Sequence, residues 1–190
     1  MSEKSDQATF QDARSKTVVF LAHCILNQNA RIDTCATNPA FIPGIIEFFT
    51  DRQVGIVQCP CPELEILGLG RQGQDCGIWD GSYRHEDGEV YDQLTTPESR
   101  TRLRQMAQSI VYQIEEYRKH GFQVLGMLGI ETSPSCGFGW TYYQGAKKGN
   151  GAFIEVLLAA FQEAGLDIPI VGINDLKPEQ NLVRIQELVG

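Results

Sequence analysis

Four apolar runs along the chain lack the polar interruptions that a half-exposed strand would show. They are Thr17-Val18-Val19-Phe20-Leu21-Ala22 within 16–23, Val54-Gly55-Ile56-Val57-Gln58, Phe122 to Ile130, and Ile168-Pro169-Ile170-Val171-Gly172-Ile173. Continuous runs of this length read as strands buried on both faces. Between them the apolar positions recur at helical spacing. Ile42, Ile45, Ile46 and Phe49 predict a helix over 39–52, with Asn38 as N-cap and Pro39 in its first position. Met106, Ile110, Val111, Ile114 and Tyr117 predict a second, opened by Thr96-Pro97 and stopped by Gly121. Two more follow over 152–164 and 178–189. Strands alternating with helices imply an α/β fold: a Rossmann-like parallel sheet flanked by helices, with its active site beyond the carboxyl ends of the strands.

The remaining stretches are polar. The first fifteen residues read as a frayed tail, leaving 16–190 as a single domain. Residues 68–89 are rich in glycine and charge without periodicity, and a loop that long in a compact domain is usually functional or mobile. Arg71 within it is suited to steady a polar substrate or a carboxylate, or simply to be solvated. Residues 137–151 read as another loop, ending in Gly149-Asn150-Gly151. Glycines before a helix either offer backbone N–H groups to an anion or act as a joint.

Composition narrows the possibilities. The 190 residues are 42% hydrophobic and 21% charged, as in ordinary globular proteins. No apolar run spans a bilayer, and the start lacks a basic and apolar leader, so the expected location is the cytoplasm. A net charge of −8 argues against a broad nucleic-acid surface, since that needs clustered cations. Oligomeric state leaves no mark on the sequence.

Six cysteines remain: Cys24, Cys35, Cys59, Cys61, Cys76 and Cys136. In a reducing compartment cysteines bind metal or do chemistry more often than they form disulfides, although a free cysteine also packs as a small hydrophobe. Their placement is informative. Three predicted strands each deliver a thiol to the same edge: Cys24 from the first, Cys59 or Cys61 from the second, Cys136 from the third. A thiolate triad suits a soft metal or an iron–sulfur cluster. His23 beside Cys24 is either a proton carrier or a structural histidine. His120 reads as a charge at a helix C-terminus, and Cys35, Cys76, Trp79 and His85 have no assigned role.

Several ordered pieces carry a resemblance. Cys24-Ile25-Leu26 follows the first strand. Cys61-Pro62-Glu63-Leu64 follows the second, with Gly68 and Arg71 beyond it. Ser133-Pro134-Ser135-Cys136-Gly137 follows the third, and Tyr143, Gly145 and Gly149-Asn150-Gly151-Ala152-Phe153 come after. Together, from Val18 to Gly172, these resemble the thiouracil desulfidase family. The resemblance implies a 4Fe–4S cluster held by Cys24, Cys61 and Cys136, with one iron open. It implies an enzyme that cleaves a carbon–sulfur bond without net redox change, turning a thiolated pyrimidine into its oxo form and sulfide. Glu63 and Ser133 match the positions that assist the reaction there. The sequence departs from the family after Cys24, where it reads Asn27-Gln28-Asn29-Ala30-Arg31, and after Glu63; Cys59 is an extra thiol.

The alternatives are a desulfidase of thiolated tRNA, for which Lys147 and Lys148 are the local basic pair, and a non-enzymatic cluster- or zinc-binding sulfur carrier or sensor. A dithiol redox protein is disfavoured, because Cys59-Pro60-Cys61 lacks the two-residue spacer of thioredoxin-like motifs. A small thiolated molecule is the expected partner.

Overall fold

A computed structural model describes residues 12–32, 35–71, 77–79, 82–84, 89–143 and 145–189, with the backbone alone at 77–79, 82–84 and 89. Four strands pair in parallel: β1 (Thr17–Leu21), β2 (Gly55–Gln58), β5 (Gln123–Ile130) and β8 (Ile170–Ile173), in the order β2-β1-β5-β8. The α/β class expected from the apolar runs is the one that forms. β5 is buried along all but its first residue because it is paired on both edges and covered on both faces.

Helices α5 (Pro97–Lys119) and α6 (Ala152–Glu163) pack on one another and on α4 (Glu89–Thr95). Helix α7 (Pro178–Val189) packs with α2 (Ile45–Thr50) and reaches β5 and β8. Helix α5 starts as its sequence predicts. Thr96 Oγ1 accepts the Ser99 N–H at 3.2 Å, and Pro97 takes the first position. It ends where Gly121 turns left-handed at φ +77°. His120, at its C-cap, is exposed and contacts Glu116, as a helix-end histidine should.

The helix predicted over 39–52 is shorter: α2 begins only at Ile45, capped by Gly44 at φ +80°. Pro43 disfavours the helical conformation of the residue before it. The backbone upstream is also engaged elsewhere, with Gln28 N–H donating to Ala40 O at 2.6 Å and Ile42 N–H to Ile25 O at 2.9 Å. These bonds tie the segment to α1 (His23–Leu26) and to the 3-10 turn Gln28–Ala30 that follows it. After β2 the chain turns into α3 (Pro62–Leu67), with Cys61 as its N-cap and Pro62 in its first position. The predicted loops contain two antiparallel hairpins, β3 (Gly77–Trp79) with β4 (Ser82–Arg84), and β6 (Trp140–Tyr142) with β7 (Ala146–Lys148). Cys76 and His85 lie outside the described residues.

Candidate functional site

The loop after β5 is fixed largely by its own backbone and by one hydroxyl. Ser133 Oγ accepts the N–H groups of Ser135 at 3.2 Å and Cys136 at 2.9 Å. Ile130 N–H donates back to Cys136 O at 3.1 Å. Helix α6 then clamps the loop from outside, its first N–H groups donating from Ala152 to Pro134 O at 2.9 Å and from Phe153 to Ser135 O at 3.0 Å. The anion reading of Gly149-Asn150-Gly151 therefore fails, because protein carbonyls already fill those donors. Gly151 is required for a different reason: a Cβ there would collide with the Ser135 carbonyl. At the lip, Thr132 sits at φ +63°, a costly conformation for a β-branched residue.

Cys24, Cys61 and Cys136 line one cavity of about 590 Å³, its open mouth included. They arrive from α1, the N-cap of α3 and the loop after β5, each just past the carboxyl end of a strand. Burial pushes all three thiols up: Cys61 to about 12, Cys136 well above its ordinary value, Cys24 in the same direction. For Cys136 the next causes are the charges of Cys24 and Cys61, so the three groups feel one another. Against this, the Leu64 N–H reaches Cys61 Sγ at 3.5 Å. Without a metal these thiols stay protonated; a soft cation at their centre would convert them to thiolates. No group of His, Cys, Asp or Glu among the described residues is gathered tightly enough for a single metal ion. Three soft thiols on the walls of one cavity are donors of the kind that a thiophilic metal or an iron–sulfur group takes.

Glu63 enters the same cavity from the first turn of α3, where Pro62 at N1 fixes the chain direction. Its carboxylate is held on both oxygens. Ser135 Oγ donates to Oε1 at 2.5 Å, and Arg71 Nε donates to Oε2 at 3.1 Å. Arg71 is wholly buried and also donates to Ala30 O at 2.6 Å and Leu69 O at 3.0 Å. Of its two sequence readings the carboxylate-steadying one holds, and the solvated one does not. Ser133 Oγ lies 3.4 Å from Glu63 Oε1, further than Ser135. Ser135 was not singled out from sequence, yet it touches Glu63 and stands 3.6 Å from Cys136 Sγ. The Ser-Pro-Ser repeat signalled two hydroxyls, but only the turn decides which one faces the carboxylate.

The fourth strand also supplies the site, which sequence reasoning missed. Just past β8, Asp175 Oδ2 meets Arg31 Nη1 at 2.6 Å and accepts Thr37 Oγ1 at 3.0 Å. Asn174 Nδ2 donates to Glu131 Oε2 at 3.1 Å, and Arg184 meets Glu131 Oε1 at 2.5 Å. His23 lines the cavity with Nε2 buried and without a hydrogen-bond partner among the described residues, so a structural histidine tied at that nitrogen is not what is found there. Burial holds its pKa down. Cys59 packs in the core rather than on the cavity wall, and burial pushes its thiol up to about 12. Cys35, on the wall, is tied in a disulfide, contrary to the expectation from compartment.

No family model matches the chain. An uncharacterised protein of Methanocaldococcus jannaschii is 28% identical over 123 residues, covering 65% of this chain and 69% of that one. Among solved structures, the 4Fe–4S-dependent thiouracil desulfidase TudS aligns over 90% of this chain and 99% of its own, at 16% identity and a TM-score of 0.44. A likeness of that degree assigns no activity, so what the chain does must be read from the site. No helix among the described residues is long and apolar enough to cross a membrane.

Proposed function

We propose that the protein is an iron–sulfur-dependent desulfidase that removes sulfur from a small thiolated pyrimidine. The reading rests chiefly on one observation: three soft donors from three strand ends share a cavity with a carboxylate held by Ser135 and Arg71. The motif resemblance from Val18 to Gly172 points the same way. Cys24, Cys61 and Cys136 would hold the cluster. With one iron left without a protein ligand, that group would supply a soft Lewis acid for a thiocarbonyl sulfur.

The protein's own part follows from the contacts. Overall, water adds to the ring carbon and its oxygen replaces sulfur, giving the carbonyl compound and hydrogen sulfide with no change in electron count. Glu63 is the base that takes the water's proton, at Oε1, where the Ser135 hydroxyl already shares charge with it. Arg71 keeps the carboxylate oriented through Oε2. Ser133 holds the loop that presents Cys136, and its own proton can pass to Ser135 Oγ, 3.1 Å away. Ile32, Ile130 and Pro134 give the cavity apolar walls that limit competing water.

The test is direct. Protein reconstituted anaerobically with iron and sulfide should convert 2-thiouracil to uracil with one sulfide released per turnover. Cluster-loaded protein that yields neither product would remove the proposal.

A further inference from the structure

We propose that the Thr132 side chain sets the width of the cavity mouth, admitting a bare thiolated ring and turning away rings that carry bulky alkyl groups. This rests on reading the cavity as a desulfidase site. Thr132 lines that cavity and is partly exposed, on the turn that leads from β5 to Cys136. Its φ of +63° lies in the left-handed region. Among the described residues, Lys16, Gln53 and Arg71 share that region without being glycine, and none of them branches at Cβ. A branched Cβ crowds the backbone most in this conformation, so Thr132 is the costliest of the four.

The turn itself does not need this side chain. Its backbone bonds run from Glu131 N–H to Ile173 O at 2.8 Å, from Thr132 N–H to Trp140 O at 3.1 Å, and from Ser133 N–H to Ile130 O at 3.2 Å. All three would form with glycine at 132. Gly121 and Gly139 both adopt φ +77°, with no side chain to strain. The Thr132 hydroxyl donates to the carbonyl of Glu131, its own neighbour, at 2.6 Å, a bond that ties it to no other segment. Neither backbone nor hydroxyl therefore accounts for a strained threonine. What remains is the space that the side chain fills, and that space borders the cavity. Strain of this kind collects at ligand clamps, where the surrounding fold enforces it.

A threonine suits the task because a β-branched side chain is stiff about χ1 and cannot swing aside as a long one could. Ile32, Ile130 and Pro134 line the same cavity and are similarly confined. A ring bearing an alkyl chain would have to displace groups that have few other rotamers. Discrimination of this kind works by clash against the wrong ligand rather than by attraction for the right one.

Two variants separate size from strain. Thr132→Gly removes both the side chain and the strain. Thr132→Asn eases the strain, because asparagine tolerates the left-handed region, but still fills the mouth. Cluster-loaded wild type should favour 2-thiouracil over 5-propyl- and 6-propyl-2-thiouracil in kcat/KM by at least about tenfold. Thr132→Gly should narrow that ratio through gain on a propyl compound, and Thr132→Asn should not. A second readout needs no turnover: labelling of the half-buried Cys24 in metal-free protein, followed by mass spectrometry. The rate with benzyl methanethiosulfonate relative to the methyl reagent should rise several-fold in Thr132→Gly and stay at the wild-type ratio in Thr132→Asn. Thr132→Asn should also melt at or above the wild-type temperature. A fall of more than about 4 °C would mean that the fold itself requires threonine there, which overturns the proposal. So does a Thr132→Gly chain that does not fold, or one that folds and gains no benzyl labelling. Equal use of all three compounds by wild type, or an equal gain in the two variants, overturns it as well. If cluster-loaded wild type turns over none of the compounds, the desulfidase reading fails, while the labelling ratio still decides whether Thr132 sets the mouth.

Discussion

The two ends of the central sheet are built from the same strands and do opposite things with charge. At the amino ends the chain enters β1 through Lys16 at φ +59° and β2 shortly after Gln53 at φ +57°. A cavity there is lined by Arg14, Lys16, Tyr112, Glu116 and His120, and its charged groups are in solvent. At the carboxyl ends the cavity is smaller, about 590 against 830 Å³ with mouths included. Yet that smaller one holds three thiols, two of them buried, a fully buried arginine and a carboxylate with both oxygens bonded. Volume does not distinguish a reactive site; dry, paired and precisely held polar groups do, because they keep their geometry only while the surrounding fold enforces it.

The largest effect that separates the two ends concerns Cys136. Cys136→Ala removes one of the proposed cluster donors and should abolish both bound iron and turnover. Iron analysis after anaerobic reconstitution checks this. Wild-type iron content in the variant would break the comparison at its centre. Glu63→Gln comes next. It removes charge but little volume, so iron should be retained while the rate falls by about 10²–10⁴-fold. Full activity would take Glu63 out of the reaction, and loss of iron would make it a ligand or a support for one.

A third contrast lies within the carboxyl end, between two thiols separated only by Pro60. Cys61 and Cys59 are both pushed up to about 12 by burial, against an ordinary thiol value of 9.0. In metal-free protein each stays protonated in the folded state after the unfolded chain has ionised. The folded state then binds more protons, so stability is full below about pH 9 and is lost as pH rises toward 12. The loss should be on the order of a few kcal/mol across that window. Cys59→Ala should remove part of that slope, cost roughly 1 kcal/mol of core packing, and leave iron binding intact. Chemical denaturation of metal-free samples at several pH values measures it. A pH-independent stability there would mean the thiols are not held dry. If Cys59→Ala instead loses iron, the two cysteines exchange roles.

What the sequence made legible follows from locality. The apolar runs over 17–22, 54–58, 122–130 and 168–173 announce strands because burial on both faces removes polar alternation. Strand ends then mark where Cys24, either Cys59 or Cys61, and Cys136 emerge; only the motif resemblance singles out Cys61. Contacts between distant segments were not legible. Arg31 and Asp175 lie 144 positions apart by their numbering, and nothing near either residue signals the other. Whether Ser133 or Ser135 faces Glu63 depends on the turn around Pro134, which composition does not encode. Helix α2 was overextended because Ile42 fits the helical period, while its backbone N–H is committed to Ile25.

The smallest effect tests the other end of the sheet. Tyr112 on α5 is 63% exposed and borders the amino-end cavity. Tyr112→Ser should change stability by no more than about 0.5 kcal/mol, the usual range for an exposed site without a cap, ion pair or special backbone. Iron content should be that of wild type, and kcat/KM for 2-thiouracil should stay within about twofold, since a residue that touches neither the thiols nor Glu63 removes no interaction made in the transition state. The same holds for His120→Ala, whose exposed ring is bonded to Glu116 on the helix surface. A marked fall in turnover from either change, with iron retained, would show that the amino-end cavity feeds the reaction. The division of labour between the two ends would then give way to coupling through β1 and β5, the strands that run from one cavity to the other.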